Sequence, residues 1–254
     1  MNNVVTPTYN TIYNENCLNT LRRIESDSVD LVITSPPYNM NLRIRNGEYT
    51  SRQIVKEFSS KYENFDDNLP IEKYYEFHSQ VLKELLRVSD LIFYNIQVVT
   101  GSKRALFKII GDFADNLKDI IVWDKGYGQP AMQEQVLNRR TELLLVFEKD
   151  YPISRQFRKR GKFERGELDD VWVIPRAKKS HKIHKAVFPD ELVRKILINF
   201  SEPGDLIYDP FMGSGTTAVV AKQMNRNFLG SEIDEQYIEI ANEKLKNIQS
   251  TFLN

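Results

Sequence analysis

Asp205-Leu-Ile-Tyr-Asp-Pro-Phe-Met-Gly-Ser-Gly-Thr-Thr217 decides the fold. A short apolar run, Leu206 to Tyr208, enters a Gly-x-Gly turn, and helical periodicity then runs from Thr216 to Met224. Gly213 and Gly215 let the backbone approach a ligand that side chains would hold off. The helix start at Thr216 and Thr217 offers free N–H groups and a partial positive charge. The next apolar run, Phe228 to Glu232, ends on an acid about twenty residues after the turn, where an acid accepts hydrogen bonds from ribose hydroxyls. No Lys follows the glycines, so this is not a Walker loop, and Ala218 stands where a dinucleotide fingerprint has its third glycine. A plain tight turn explains Gly-Ser-Gly taken alone. The preceding strand, the Asp209-Pro210-Phe211 start with Ser214 inside the turn, and Glu232 beyond it point to a ligand loop.

The same alternation extends outward along the chain. Further strands are predicted at Asn10 to Tyr13, Leu31 to Thr34, Leu91 to Tyr94, Ile120 to Trp123 and Leu143 to Phe147. Helical spacing marks Ile71 to Arg87, Lys103 to Phe113, Asp190 to Asn199 and Glu235 to Ile248. Short apolar runs alternating with amphipathic helices are the α/β signature, with a mostly parallel sheet and helices on both faces. Ile120 to Trp123 and Leu143 to Phe147 have no strong helix between them, so an antiparallel edge pair is expected there.

The 254 residues, 41% hydrophobic and 28% charged, suit a globular chain of one large domain or two small ones. Disordered and collagen-like classes are excluded. Lys+Arg and Asp+Glu are both 35, which excludes a generally basic coat but not a local basic patch. One cysteine permits no internal disulfide, and three histidines make a dedicated metal site unexpected. No apolar run approaches the ~20 residues of a membrane span, and the amino-terminus lacks a signal-peptide pattern. No membrane contact and a cytoplasmic location are expected.

Asp30-Leu-Val-Ile-Thr-Ser-Pro-Pro-Tyr-Asn39 is a buried-type strand running into a stiff turn. Pro36 and Pro37 remove two N–H donors and keep their carbonyls. Ser35 adds a hydroxyl and Tyr38 a flat face. Acceptors without donors beside a stacking surface suit a planar ring bearing an exocyclic amino group; a rigid structural turn is the alternative reading of Pro-Pro alone.

Ser35-Pro36-Pro37-Tyr38 resembles the catalytic motif of the DNA amino-methyltransferases, and Asp209 to Thr217 is similar to their S-adenosyl-L-methionine motif. The catalytic motif precedes the cofactor motif, as in the β group of that family. His184-Lys-Ala-Val-Phe-Pro189 and Tyr13-Asn-Glu-Asn-Cys17 resemble two weaker family segments. The resemblance covers nearly the whole chain. It implies a circularly permuted Rossmann-like methyltransferase fold, with one antiparallel edge strand and the chain 1–254 as a single catalytic domain. S-adenosyl-L-methionine is the implied cofactor, held by Asn16, Cys17, Thr34, His184, Asp209, Pro210, Phe211, Gly213, Ser214, Gly215, Thr216 and Glu232. The implied reaction moves a methyl group to the amino nitrogen of a base flipped from double-stranded DNA. Ser35 Oγ and the Pro36 carbonyl would accept the amino hydrogens and free the nitrogen lone pair, and Tyr38 would stack on the base. Carbon-5 methylation needs a thiolate, and Cys17, the only cysteine, precedes the catalytic turn. In the family, Ser at the first motif position leans to cytosine N4 and Asp to adenine N6, so cytosine is favoured and adenine stays the alternative. A non-catalytic DNA-binding module is a weaker one. The resemblance also allows a homodimer, a cognate restriction endonuclease and a prokaryotic or phage modification system.

Two stretches break the alternation. From Arg155 to Lys185 there are eleven Lys/Arg against four acids, a local excess of +7. Segment 151–185 is therefore the expected target-recognition segment, with Arg155, Arg158, Lys159, Arg160, Lys162, Arg165, Lys178, Lys179 and Lys182 on DNA phosphates; a solvated loop is the alternative. Segment 40–70 follows the catalytic turn and is the expected lid or DNA-contact insertion.

Overall fold

The computed structural model describes residues 8–39, 42–45, 48–51, 69–129, 134–150, 153–176 and 188–251. The strands are β1 (Thr11–Asn14), β2 (Leu31–Thr34), β3 (Leu42–Arg45), β4 (Glu48–Ser51), β5 (Leu91–Ile96), β6 (Leu117–Gln129), β7 (Arg139–Glu148), β8 (Val171–Val173), β9 (Leu206–Asp209) and β10 (Asn227–Glu232). The helices are α1 (Cys17–Leu21), α2 (Ile71–Val88), α3 (Lys103–Asp112), α4 (Asp190–Phe200), α5 (Thr216–Gln223) and α6 (Glu235–Thr251). Eight strands form one sheet in the order β1-β10-β9-β2-β5-β7-β6-β8, and β3 pairs with β4 as a separate hairpin.

Fully buried β2 and β5 occupy the middle of the sheet because both their faces are covered. Ile33, Phe93, Val146 and Trp172 face one core with Val193, Ile196 and Leu197 of α4 and Val220 of α5. Val32, Ile92, Tyr94, Leu145 and Phe147 face the other with Val81, Leu82 and Leu85 of α2 and Leu106 of α3. Each such buried side chain contributes about 1.5–3 kcal/mol of transfer free energy, so the alternation of faces along every strand fixes its register. Helix α4 starts after Pro189, carries Asp190 and Glu191 in its first turn, and stops where Ser201 turns extended before Glu202-Pro203.

The expected antiparallel pair forms, but β7 is the reversed strand and sits inside the sheet, between β5 and β6. Short β8 adds in parallel beyond β6. Its three residues give too little pattern for a strand to be read from sequence.

The chain runs from β2 through α2 to β5 in one direction across the sheet, and from β9 through α5 to β10 in the other. The strands β2 and β9 are parallel neighbours. The crevice outside their carboxyl ends is thus a topological switch point, where ligands bind in open α/β sheets.

Candidate active site

Two loops leave that crevice side by side. Thr34, the last residue of β2, donates from Oγ1 to Asp209 Oδ1 at 2.7 Å. Thr217 Oγ1 donates to Asp209 Oδ2 at 2.7 Å, and the Phe211 N–H donates to Oδ1 at 3.0 Å. One buried carboxylate therefore ties the strand leading to Ser35, the turn at Phe211 and the first turn of α5. Burial pushes the Asp209 carboxyl up to about 6, against the lowering pull of these three donors.

The glycine loop is shaped from three sides. Gly213 (φ 52°) and Gly215 (φ 83°) lie in the left-handed region. A Cβ on Gly213 would meet nothing nearer than the Phe211 carbonyl oxygen at 4.0 Å, which leaves that side of the loop open. On Gly215 it would lie 2.6 Å from the Ala241 Cβ, so α6 packs directly on this position. Lys244, one turn along α6, donates to the Ser214 carbonyl and Oγ at 2.9 and 3.1 Å. Glu232 accepts from the N–H groups of Gly213 (2.7 Å), Ile233 (2.9 Å) and Asp234 (3.0 Å), while burial raises its carboxyl above the usual range. At the end of β1, Asn16 caps α1 by accepting from the Leu18 N–H. The Asn14 amide donates to the Glu232 carbonyl, so this turn stands beside Glu232. Cys17 is buried, and desolvation pushes its thiol up to about 12, which leaves no reactive thiolate.

The Ser35 turn is held as firmly. Tyr74 Oη donates to the Pro37 carbonyl at 3.0 Å and Ser102 Oγ to the Tyr38 carbonyl at 3.0 Å. Ser35 Oγ and Tyr38 Oη lie 3.0 Å apart. Below them stand three polar residues that the sequence reading missed: Asn95 at the end of β5, Glu142 near the start of β7 and Lys125 in β6. Asn95 Nδ2 reaches Tyr38 Oη at 2.6 Å, Glu142 Oε2 at 2.7 Å and Ser35 Oγ at 3.3 Å. Tyr38 Oη donates to Glu142 Oε2 at 2.9 Å, and Lys125 Nζ holds Glu142 Oε1 at 3.0 Å. The one available signal was that Lys125 and Glu142 are charges flanking strongly apolar strands; which strands met at the turn was not legible.

The basic segment is where expectation and structure part. Lys159 pairs with Asp90 and Asp150, Arg160 with Asp30 and Asp205, and Lys162 with Glu202. Asp30, Asp90 and Asp205 precede β2, β5 and β9, so these cations sit at the amino-terminal edge of the sheet. Ser35 is at the other edge, a strand of four residues away, on the order of 13 Å. The same loop buries Phe157 and Phe163 against Phe200 of α4, so it is a packing loop. Arg155, Arg158 and Arg165 on that loop are exposed. The structure thus does not bring Lys159, Arg160 or Lys162 to the catalytic turn: Lys159 and Arg160 neutralise strand-leading aspartates and Lys162 pairs with Glu202, which a charge count cannot reveal. Lys178, Lys179, Lys182 and His184 lie outside the described residues, as do all of 177–187 and much of 40–70. At the Ser35 edge the hairpin of β6 and β7 carries Arg139 and Arg140, both exposed, with Arg140 paired to Asp124 across the hairpin, and Arg176 lies over the exposed Tyr127 ring. Among the described residues no cluster of His, Cys, Asp or Glu can hold a metal ion, and no helix is long and apolar enough to cross a membrane.

A parallel sheet with a glycine loop and a terminal acid on one side of its switch point, and an acceptor-lined Pro-Pro turn on the other, defines a Rossmann-like group-transfer enzyme. A family model described as a DNA methylase, of the N6/N4 amino-methyltransferase type, matches residues 29–243, and the chain belongs to that family. It is 29% identical to the type II methyltransferase M.BglII of Bacillus subtilis, over 91% of this chain and 68% of that protein. It is 26% identical to M.HinfI of Haemophilus influenzae, over 94% and 69%. Among solved structures, the cytosine-N4-specific PvuII DNA methyltransferase matches with a TM-score of 0.70 at 18% identity, over 95% of this chain and 88% of that one. The complex of M1.HpyAVI with SAM matches with a TM-score of 0.61 at 20% identity, over 92% and 98%. These structures share the fold.

Proposed function

We propose that this protein transfers a methyl group from S-adenosyl-L-methionine to the exocyclic amino nitrogen of a base flipped out of double-stranded DNA, with cytosine N4 as the favoured target and adenine N6 as the alternative. The observation that carries this reading is the Thr34–Asp209 hydrogen bond, which joins the acceptor-lined turn to the glycine loop at the switch point.

The open side of Gly213 and the buried Glu232 carboxylate fit such a cofactor. Asn16, the Cys17 backbone, Phe211, Gly213, Ser214, Gly215, Thr216 and Glu232 would hold it. When bound, it supplies an already electrophilic sulfonium methyl group. The chain must then make a poor nucleophile available. Among the described residues nothing donates to the Pro36 carbonyl, whereas the Pro37 and Tyr38 carbonyls are engaged. Pro36 and Ser35 Oγ can therefore each accept one amino hydrogen, and their attraction grows as charge builds on nitrogen. The Tyr38 ring, fixed by its hydroxyl, offers a stacking face worth about 1–3 kcal/mol toward the cost of flipping.

For DNA we assign Arg139, Arg140 and Arg176 at the catalytic edge, followed in the chain by Lys178, Lys179 and Lys182, as phosphate contacts. A homodimer, a companion restriction endonuclease and a cytoplasmic location belong to the same reading, in keeping with the type II names of its relatives. The test is transfer of labelled methyl from S-adenosyl-L-methionine to duplex DNA, followed by nucleoside mass spectrometry. N4-methylcytosine is expected. N6-methyladenine alone would move the assignment to adenine, and no transfer to any duplex would refute it.

A further inference from the structure

We infer that Glu142, held by Lys125, is a positioning residue that sets the direction of every hydrogen in the network beneath the catalytic turn, and so makes Ser35 an acceptor toward the substrate. The inference rests on the amino-group reading above and extends it to two residues on strands that carry no motif.

A hydroxyl has one hydrogen, so a chain of hydroxyls has a direction, and whatever ends the chain chooses it. Here the chain is Ser35 Oγ, Tyr38 Oη and Glu142 Oε2, with steps of 3.0 and 2.9 Å. Lys125 is 2% exposed and its ammonium group contacts Glu142 Oε1 at 3.0 Å. A carboxylate facing that cation has only lone pairs to offer, so the Tyr38 hydrogen points at Glu142. Tyr38 Oη is left with lone pairs, so the Ser35 hydrogen points at Tyr38. Asn95, 1% exposed, turns its amide nitrogen to the same three oxygens, and its two hydrogens serve chiefly the nearer pair, Tyr38 Oη and Glu142 Oε2. Its Oδ1 has no partner among the described residues. A buried acceptor left unpaired on one side is the cost of aiming both hydrogens at the network, because only a donor can face Glu142. The remaining lone pair of Ser35 Oγ is then available to an amino hydrogen, and Ser35 has no hydrogen left to donate.

Glu142→Gln is nearly isosteric and can donate to Tyr38 Oη. The Tyr38 hydrogen would turn to Ser35, and the Ser35 hydrogen toward the base. Discrimination between donor and acceptor at the target would weaken or reverse. The assay needs no methyl transfer: equilibrium binding of two duplexes that differ only at the target. One carries the natural amino base and the other its carbonyl counterpart, uracil for cytosine or hypoxanthine for adenine. The wild type should prefer the amino base. Glu142→Gln should lose about tenfold or more of that preference, with cofactor affinity unchanged. A merely structural role would weaken both duplexes alike. Glu142→Gln also leaves Lys125 buried without its charge partner, and without that lysine the glutamine oxygen could turn to Tyr38, so Lys125→Met with Glu142→Met, which removes the acceptor outright, serves as the second variant. It removes both charges and should show the same loss of preference.

Three results would overturn the inference. An unchanged preference in both variants shows that Glu142 does not set the direction. Full recovery in the double variant shows that the stranded Lys125 caused the effect. A wild type without preference defeats the acceptor role of Ser35, and with it the amino-group reading; in the first two cases that reading stands.

Discussion

His78 places an acid sensitivity in the core beneath the catalytic turn. It lies on the buried face of α2, packed on Tyr74 at 4.1 Å between ring centroids and edge-on to Phe77 at 5.6 Å. Its Nδ1 meets the Tyr94 hydroxyl, and its Nε2 has no partner among the described residues. Burial lowers its pKa from the ordinary 6.5 to about 3. The folded state therefore keeps the ring neutral where the unfolded chain binds a proton. Stability from this group is complete above pH 6.5 and is lost progressively as the pH falls from there toward 3. At about pH 5 the loss is about 2 kcal/mol, at about 1.4 kcal/mol per pH unit. Asp209 acts oppositely: its folded value of about 6 lies above the ordinary 3.8, so the native state gains stability as the pH falls through that window. By the same arithmetic Asp209 returns about 1.4 kcal/mol at about pH 5. The two nearly cancel in the wild type, so its own curve says little. His78→Phe keeps the packing and removes the titration. The unpaired Tyr94 hydroxyl it leaves is a pH-independent cost that drops out of the comparison. Urea unfolding at about pH 8 and about pH 5 should show the stability difference between variant and wild type moving by about 2 kcal/mol in the variant's favour. Parallel stability curves for the two proteins would refute this account of His78.

Gly215→Ala should lower stability by at least about 1–2 kcal/mol and weaken cofactor binding, because φ is 83° and the new Cβ meets Ala241. Adding Ala241→Gly should relieve only part of the contact, because the Cα of residue 241 would still lie 3.0 Å from the new Cβ, and none of the backbone strain, a split that melting temperature and calorimetric titration with S-adenosyl-L-methionine can read. Arg160→Ala removes one partner from Asp30 and Asp205 and should reduce stability, while DNA affinity and its salt dependence stay as they were. A fall in the salt slope would return Arg160 to the DNA face. Arg139→Ala and Arg140→Ala should each weaken DNA binding and flatten the logarithmic salt slope by about one. Unchanged slopes would remove the β6–β7 hairpin from the assigned surface.

Much of this was legible in advance because it is local. The strand–glycine–helix passage around Gly213, the stiff turn after Thr34 and the apolar periods of α2, α4 and α5 each announce themselves within a few residues. Together they determined the fold class, the two loops of the site and the order in which the chain visits them. Charge was the poor guide. The basic stretch after Arg155 read as a nucleic-acid surface, yet Lys159, Arg160 and Lys162 close on acids drawn from Asp30 to Glu202, because those aspartates head parallel strands that converge only when the sheet forms. Glu142 and Lys125 were silent for the converse reason. Each is one charge beside an apolar strand, and only the β5–β7–β6 register lays both beneath Ser35. Hydrophobic period is a property of neighbours along the chain, whereas a polar network is defined by its partners, and strand pairing chooses those partners.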